Sequence, residues 1–85
     1  MQPGDLVKLK GATAGRAKVA LWNILEWQLE EMGDQKKIVT WFAPEDVGIV
    51  LAIAKVERPW KMWHVLVMCN HTYGWQGKSF FEVVK

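Results

Sequence analysis

The sequence predicts a single all-β domain, a small barrel of about five strands. Two apolar runs of strand length, residues 46–56 and 62–70, lie in its second half. Breaks rich in glycine, proline and polar residues separate the runs. A third segment, residues 25–42, pairs like a β-hairpin. With 85 residues, 51% of them hydrophobic, the chain is predicted to be one compact domain. The segment of about 11–45 is a long arm inserted into it.

The elements follow in order along the chain. "PGDLVKLK" gives a turn and then a strand over residues 6–10, which "GATAG" ends. After the arm come the two apolar runs, separated by "ERPWK". A second break, "HTYG", leads into a strand at "WQGKS", and "FFEVVK" forms a short closing strand.

Both central strands are apolar on each face, which is unusual for an antiparallel barrel with one face in water. A covering element is therefore expected, either the arm or a partner molecule, and small alanines indicate its close approach. Strict alternation divides the side chains of each run between the two faces of its strand. In the first run, one face carries Ile49, Leu51 and Ile53, and the other carries Val50, Ala52 and Ala54. In the second run, one face carries Val65, Val67 and Cys69, and the other carries Leu66 and Met68.

The arm has two interpretations. Leu21, Leu25 and Leu29 recur at helical spacing, so the alternative is a helix at residues 16–32 packed on the barrel. That helix would have its charges reversed relative to its dipole. The hairpin is preferred, because a Gly33-Asp34 turn aligns opposite charges and apolar residues. The pairs are Glu31–Lys36, Glu30–Lys37, Leu29–Ile38 and Trp27–Thr40.

The motifs "GDLV", "GIVL", "VLV…GW" and "EVV" together resemble the Src-homology-3-like (SH3-like) small barrels encoded by bacteriophages, especially marine ones. In those proteins a "GDLV" strand precedes a variable arm, and a "GIVL" strand and a "VLV…GW" hairpin follow. The resemblance spans the chain and implies an SH3-like barrel with an extended first hairpin arm. It implies a phage origin and no particular activity.

Enzymatic chemistry has little support in the sequence. His64, Cys69 and His71 lack the paired short spacings of a zinc site, so no metal is predicted. Cys69 lies in an apolar strand without a group that would activate its thiol. No phosphate-binding glycine loop is present either. We therefore expect a protein that is not an enzyme, without a cofactor or a small-molecule substrate.

Tryptophan is the most distinctive residue, with six in the chain. SH3-like barrels of the signalling kind grip proline-rich peptides with exposed aromatics between the arm and the second loop. The predicted function is a non-enzymatic protein–protein interaction or structural accessory module. Self-association through the Trp-rich arm is one form of it. The candidate binding residues are Trp27, Trp41, Trp60 and Tyr73.

Nucleic-acid binding is the alternative function, through basic loops with aromatic stacking. The net charge is only +2, and the acidic residues concentrate in the arm, which argues against this function. The candidate contacts are Lys8, Lys10, Arg16, Lys18, Arg58 and Lys61.

The same composition predicts location. One cysteine rules out an internal disulfide and fits a reducing compartment. No signal peptide is evident, and the longest apolar stretch, residues 47–54, is too short to span a bilayer. The protein is expected to be soluble and intracellular, in the host cytoplasm or the virion if it is phage-encoded, with no membrane association.

Overall fold

The computed structural model describes residues 1–11, 18–25, 37–57 and 61–84. In these residues one antiparallel sheet of seven strands curls into a half-barrel. A short 3-10 helix, Lys78–Phe80, precedes the last strand. None of the described residues forms a helix long and apolar enough to cross a membrane. The strands are β1 (Leu6–Leu9), β2 (Val19–Trp22), β3 (Ile38–Phe42), β4 (Gly48–Val56), β5 (Met62–Cys69), β6 (Thr72–Gly77) and β7 (Phe81–Val83).

The predicted all-β class is confirmed, and the predicted number of about five strands is wrong. The sheet order is β3-β2-β6-β5-β4-β1-β7, so both arm strands join the same sheet. β2 reaches β6 through the pair Trp22 and Trp75. A helix over residues 16–32 is also wrong, because Val19–Trp22 is a strand whose first three residues are buried.

The predicted register of the arm is wrong as well. β3 pairs with β2, so Thr40 lies opposite Leu21 and Ile38 opposite Trp22, where Trp27 and Leu29 were expected. The backbone N–H of Lys37 donates to Asn23 Oδ1 at 2.7 Å. The Gly33-Asp34 turn lies outside the described residues. Burial explains the choice of partner strand, since residues 19–21 can bury three consecutive side chains.

The core lies on the concave side of the sheet. Its largest members are Phe42 and Phe81, whose rings meet edge to face with centroids 5.2 Å apart. Around them are buried aliphatic side chains and one thiol from β1, β2, β4 and β5. This cluster comprises Val7, Leu9, Val19, Leu21, Phe42, Val50, Val65, Val67, Cys69 and Phe81.

A bulge in β4 changes the predicted alternation. Val50 lies opposite Val67, and Ala52 lies opposite Leu66, so Leu51 is an extra residue in the ladder. Ile53 consequently packs against the core, on the face of Val50, where strict alternation placed it with Ile49. The predicted alternation of β5 is confirmed, because Val65, Val67 and Cys69 are buried while Met68 is exposed.

The turn between β5 and β6 consists of two residues, Asn70 and His71, both in the left-handed region with φ of 54° and 65°. It is shorter than the predicted break at residues 71–74, since β6 already begins at Thr72. The Thr72 hydroxyl donates to the Cys69 carbonyl at 2.9 Å. Two consecutive positive φ values fit a type I′ hairpin turn, which favours Asn followed by Gly.

His71→Gly is therefore expected to raise the free energy of unfolding by about 0.5–1 kcal/mol, because glycine adopts this conformation without strain. Urea unfolding followed by tryptophan fluorescence measures the change. His71→Ala is the matched control, since it keeps the Cβ atom and should give no gain. An equal gain from both variants would attribute the effect to loss of the imidazole.

Candidate functional site

Two of the four predicted aromatics lie in the described part of the chain, and both are exposed. Trp41 on β3 is 44% exposed, and the Lys18 ammonium lies 4.7 Å from its ring centroid. Tyr73 on β6 is 60% exposed. Trp27 and Trp60 lie outside the described residues. In the sheet order, β2 lies between the strands of Trp41 and Tyr73.

Tyr73 ends a row of exposed apolar side chains that crosses four neighbouring strands. Leu6 pairs with Ile49, Ile49 with Met68, and Met68 with Tyr73. All four are exposed. Because neighbouring strands are about 4.8 Å apart, the row is about 15 Å long. The described strands β2 and β3 extend the sheet beyond β6. The outer face of the sheet is therefore exposed along this row, where a covering element was expected.

A cleft lies at the opposite end of β5, beside the 3-10 helix. Its volume is about 300 Å³, and Met62, Trp63 and Phe81 provide its apolar lining. Trp63 is half-exposed at 50%, whereas Phe81 is buried and forms the floor. The cleft therefore presents one face of an indole beside a rigid apolar base. The remaining lining residues are Lys10, Lys78 and Ser79.

The charge around this cleft is mainly positive. Lys10 and Lys78 line it, and Lys55 lies across the strand pair from Trp63, its ammonium 5.7 Å from the ring centroid. Lys55 also approaches Glu57 at 3.9 Å, in a solvent-exposed pair that contributes little. A ligand that places an apolar group on Trp63 would find cationic partners on either side.

The basic residues predicted for nucleic-acid binding do not share one site. Lys8 pairs with Glu82 at 3.7 Å, Lys10 lines the cleft, and Lys18 sits over Trp41. Lys61 is exposed just before β5. Arg16 and Arg58 lie outside the described residues. Of the four described lysines, one therefore contributes to the cleft beside Trp63.

The residues considered as metal ligands or nucleophiles occupy structural positions in the fold. Cys69 is buried in the core, and His64 is buried on the outer side of β5, while His71 is exposed in the turn. Across the described ranges, no three His, Cys, Asp or Glu side chains come together as metal ligands would. Burial raises the pKa of the Cys69 thiol, and the nearby Asp46 carboxylate raises it further.

Cys69 is accordingly expected to react slowly with Ellman's reagent at about pH 8 in the folded protein, because the thiolate is the reactive form. Full reactivity should appear in guanidinium chloride. Because the pKa of the thiol is higher in the folded protein, the thiol of the unfolded chain ionises at a lower pH. The free energy of unfolding should therefore fall as pH rises above about 8.5. Rapid labelling of the native protein would show that Cys69 is accessible.

Trp63 is the cleft residue that the sequence analysis did not single out. Its position alternates with Val65 and Val67, which predicts a core side chain. It is exposed because the strand pair β4–β5 extends past the core at this end, where its partner is the exposed Lys55. The signal in the sequence was its place two residues after the "ERPWK" break, together with Lys55 before that break and Lys61 at its end.

Comparison with known proteins adds no relative. The sequence matches no protein-family model, no curated protein and no solved structure.

Proposed function

We propose that this chain is a non-enzymatic protein-binding module built on an SH3-like barrel. Support for the barrel comes from the four motifs that carry the resemblance, since each occupies a strand. "GDLV" enters β1, "GIVL" begins β4, "VLV…GW" spans the β5–β6 hairpin, and "EVV" ends β7. The arm between β1 and β4 supplies β2 and β3. By the same resemblance, we propose a phage-encoded accessory or structural protein.

The observation that carries the binding function is the cleft at Trp63. A half-exposed tryptophan and a buried phenylalanine that line one cleft are the kind of anchor site that interface hot spots use. The open position of the cleft, between the end of β1 and the start of β5, suits a peptide rather than a small substrate. The lysines at its edge favour a peptide with acidic residues beside an apolar anchor.

A single-stranded nucleic acid is the second candidate ligand for the same cleft. The indole of Trp63 offers a stacking surface, and Lys10 and Lys78 could contact phosphates. The dispersal of Lys8 and Lys18 to other contacts favours the peptide, because a nucleic-acid track needs basic residues along an extended path.

Selection from a random peptide library, with nuclease-treated protein as bait, tests the proposal. We expect peptides that combine an acidic residue with an aromatic or aliphatic one. Their affinity, measured by fluorescence anisotropy, should fall about tenfold or more for Trp63→Ala, which removes the anchor surface. Trp41→Ala is the matched control, since it deletes an exposed tryptophan outside the cleft.

The two ligands separate by salt dependence. A peptide anchored on Trp63 should lose affinity only moderately with added salt, because few charge pairs are screened, whereas an oligonucleotide loses it steeply in proportion to the phosphates contacted. Tight binding of oligo-dT, abolished by Trp63→Ala, would transfer the function to nucleic acid. Failure of both the peptide selection and oligo-dT to give Trp63-dependent binding would refute the cleft as a binding site.

A further inference from the structure

The two edges of the sheet are built differently. β7 at one edge has three residues, and its neighbour β1 adds a lysine–glutamate pair, Lys8 with Glu82. Short length and charge are the usual means by which proteins prevent an edge from pairing with another chain. β3 at the other edge has five residues, "IVTWF", without a charged side chain. All five are β-branched or aromatic residues of the kind most enriched in sheets.

β3 also exposes apolar side chains on both of its faces. A bulge places Thr40 and Ile38 opposite consecutive residues of β2, so Val39 is the extra residue. Ile38 and Val39 are therefore both exposed, at 41% and 39%. Trp41 adds a half-exposed indole to the same strand. Among the described strands, β3 has β2 as its only neighbour, so its outer edge presents backbone groups and apolar side chains along one line.

We propose that β3 pairs with β3 of a second copy of this chain, antiparallel and around a two-fold axis, and joins the two sheets. A pairing that uses all five residues places Thr40 on the axis, opposite Thr40 of the second copy. Val39 then lies opposite Trp41, and Ile38 opposite Phe42. Aromatic–β-branched and Thr–Thr pairs are among the favourable cross-strand neighbours.

Charge complementarity selects a second copy as the occupant. The basic residue Lys37 precedes β3, and the exposed acidic residue Glu45 follows it, whereas the Asp46 carboxylate accepts a hydrogen bond from the Ala43 N–H at 2.9 Å. Because the pairing is antiparallel, the basic end of each strand faces the acidic end of the other at both ends of the interface. No like charges meet in the middle, since β3 is uncharged. The two-fold axis thus makes the surface self-complementary.

This assembly goes beyond the proposed peptide binding and uses a different surface. The cleft at Trp63 lies between β1, β5 and the 3-10 helix. In the sheet order, β3 is separated from β5 by two strands. A dimer would therefore leave two clefts available, and the loss of either property would not remove the other.

Cysteine crosslinking tests the pairing and its register. Residues directly opposite on antiparallel strands have Cα atoms about 4.5–5.5 Å apart, within the range for a disulfide. Thr40→Cys is therefore expected to give a crosslinked dimer under mild oxidation. Glu82→Cys, on the opposite edge, is the matched control and should stay uncrosslinked. The native Cys69 is buried and contributes no background.

Sedimentation equilibrium supplies the second measurement. Wild-type protein should be a dimer, and Thr40→Lys should be a monomer with an unchanged circular dichroism spectrum, because it places like charges on the axis. Val47→Lys removes an exposed apolar residue outside β3 and should remain dimeric. Trp63→Ala should also remain dimeric, which separates this result from failure of the cleft.

A wild-type monomer at all concentrations would overturn the proposal, as would equal crosslinking of Thr40→Cys and Glu82→Cys. A dimer that persists in Thr40→Lys would place the interface elsewhere. If Thr40→Lys fails to fold, the crosslinking comparison alone decides.

Discussion

Gly74→Ala is expected to lower the free energy of unfolding by about 3 kcal/mol, at the upper end of overpacking effects. β2 passes so close to Gly74 that an added Cβ atom would lie 2.7 Å from Leu21 Cβ, 2.9 Å from the Leu21 carbonyl carbon and 3.0 Å from the Trp22 nitrogen. Two of these atoms are backbone, so no side-chain rotation can relieve the contact. β2 would have to move away from β6, and the arm would lose its attachment to the sheet.

Gly11→Ala is the matched control for Gly74→Ala. A Cβ atom at Gly11 would meet nothing within 4 Å, so stability should change by less than about 0.5 kcal/mol. Urea unfolding of the two variants measures both effects. A Gly74→Ala variant as stable as the wild type would mean that β2 is not held against β6 in solution.

Phe42→Ala is expected to lower the free energy of unfolding by about 3–5 kcal/mol. Phe42 is fully buried, and its ring meets Phe81 edge to face, so truncation removes apolar burial and leaves a cavity in the middle of the half-barrel. A chain of this size has a total stability on the order of 4–13 kcal/mol. The variant is therefore expected to be partly unfolded at room temperature, which thermal circular dichroism would show.

Phe42→Leu separates the cavity from the general loss of an aromatic residue. Leucine refills much of the volume, so Phe42→Leu should lower the free energy of unfolding by less than half as much as Phe42→Ala does. Equal destabilisation by leucine and alanine would assign the effect to the Phe42–Phe81 ring contact alone.

The sequence predicted the strands well where local pattern and tertiary structure agree. Residues 65–69 of β5 alternate between core and outer face, and the apolar runs mark β4 and β5 within two residues of their observed ends. It failed where two patterns competed. Charge matching around Gly33-Asp34 favoured a local hairpin, but the pairing of Thr40 with Leu21 shows that burial of residues 19–21 decided the register of β3. Charge pairs on a surface are worth too little to outweigh that burial.

The candidate site was predictable only in part. Tyr73 and Trp41 were named as candidate binding aromatics, and both are exposed, but neither lines the cleft at Trp63. Trp63 could not be found from periodicity, because its alternation matches that of the core valines until β5 extends past the core. The Leu6–Ile49–Met68–Tyr73 row depends on register across four strands, which includes pairs distant in sequence. Register of this kind is fixed by the whole sheet and not by any one segment.

The position of β1 between β4 and β7 has a consequence for folding kinetics. Val7 pairs with Val83, so this part of the sheet closes only when the two ends of the described chain meet. The β5–β6 hairpin, joined by a two-residue turn, needs no such search. Non-local pairing of this kind slows folding, because the closure entropy is lost before contacts compensate for it. Substitutions in β7 should therefore mainly accelerate unfolding, whereas substitutions in the β5–β6 hairpin should slow folding.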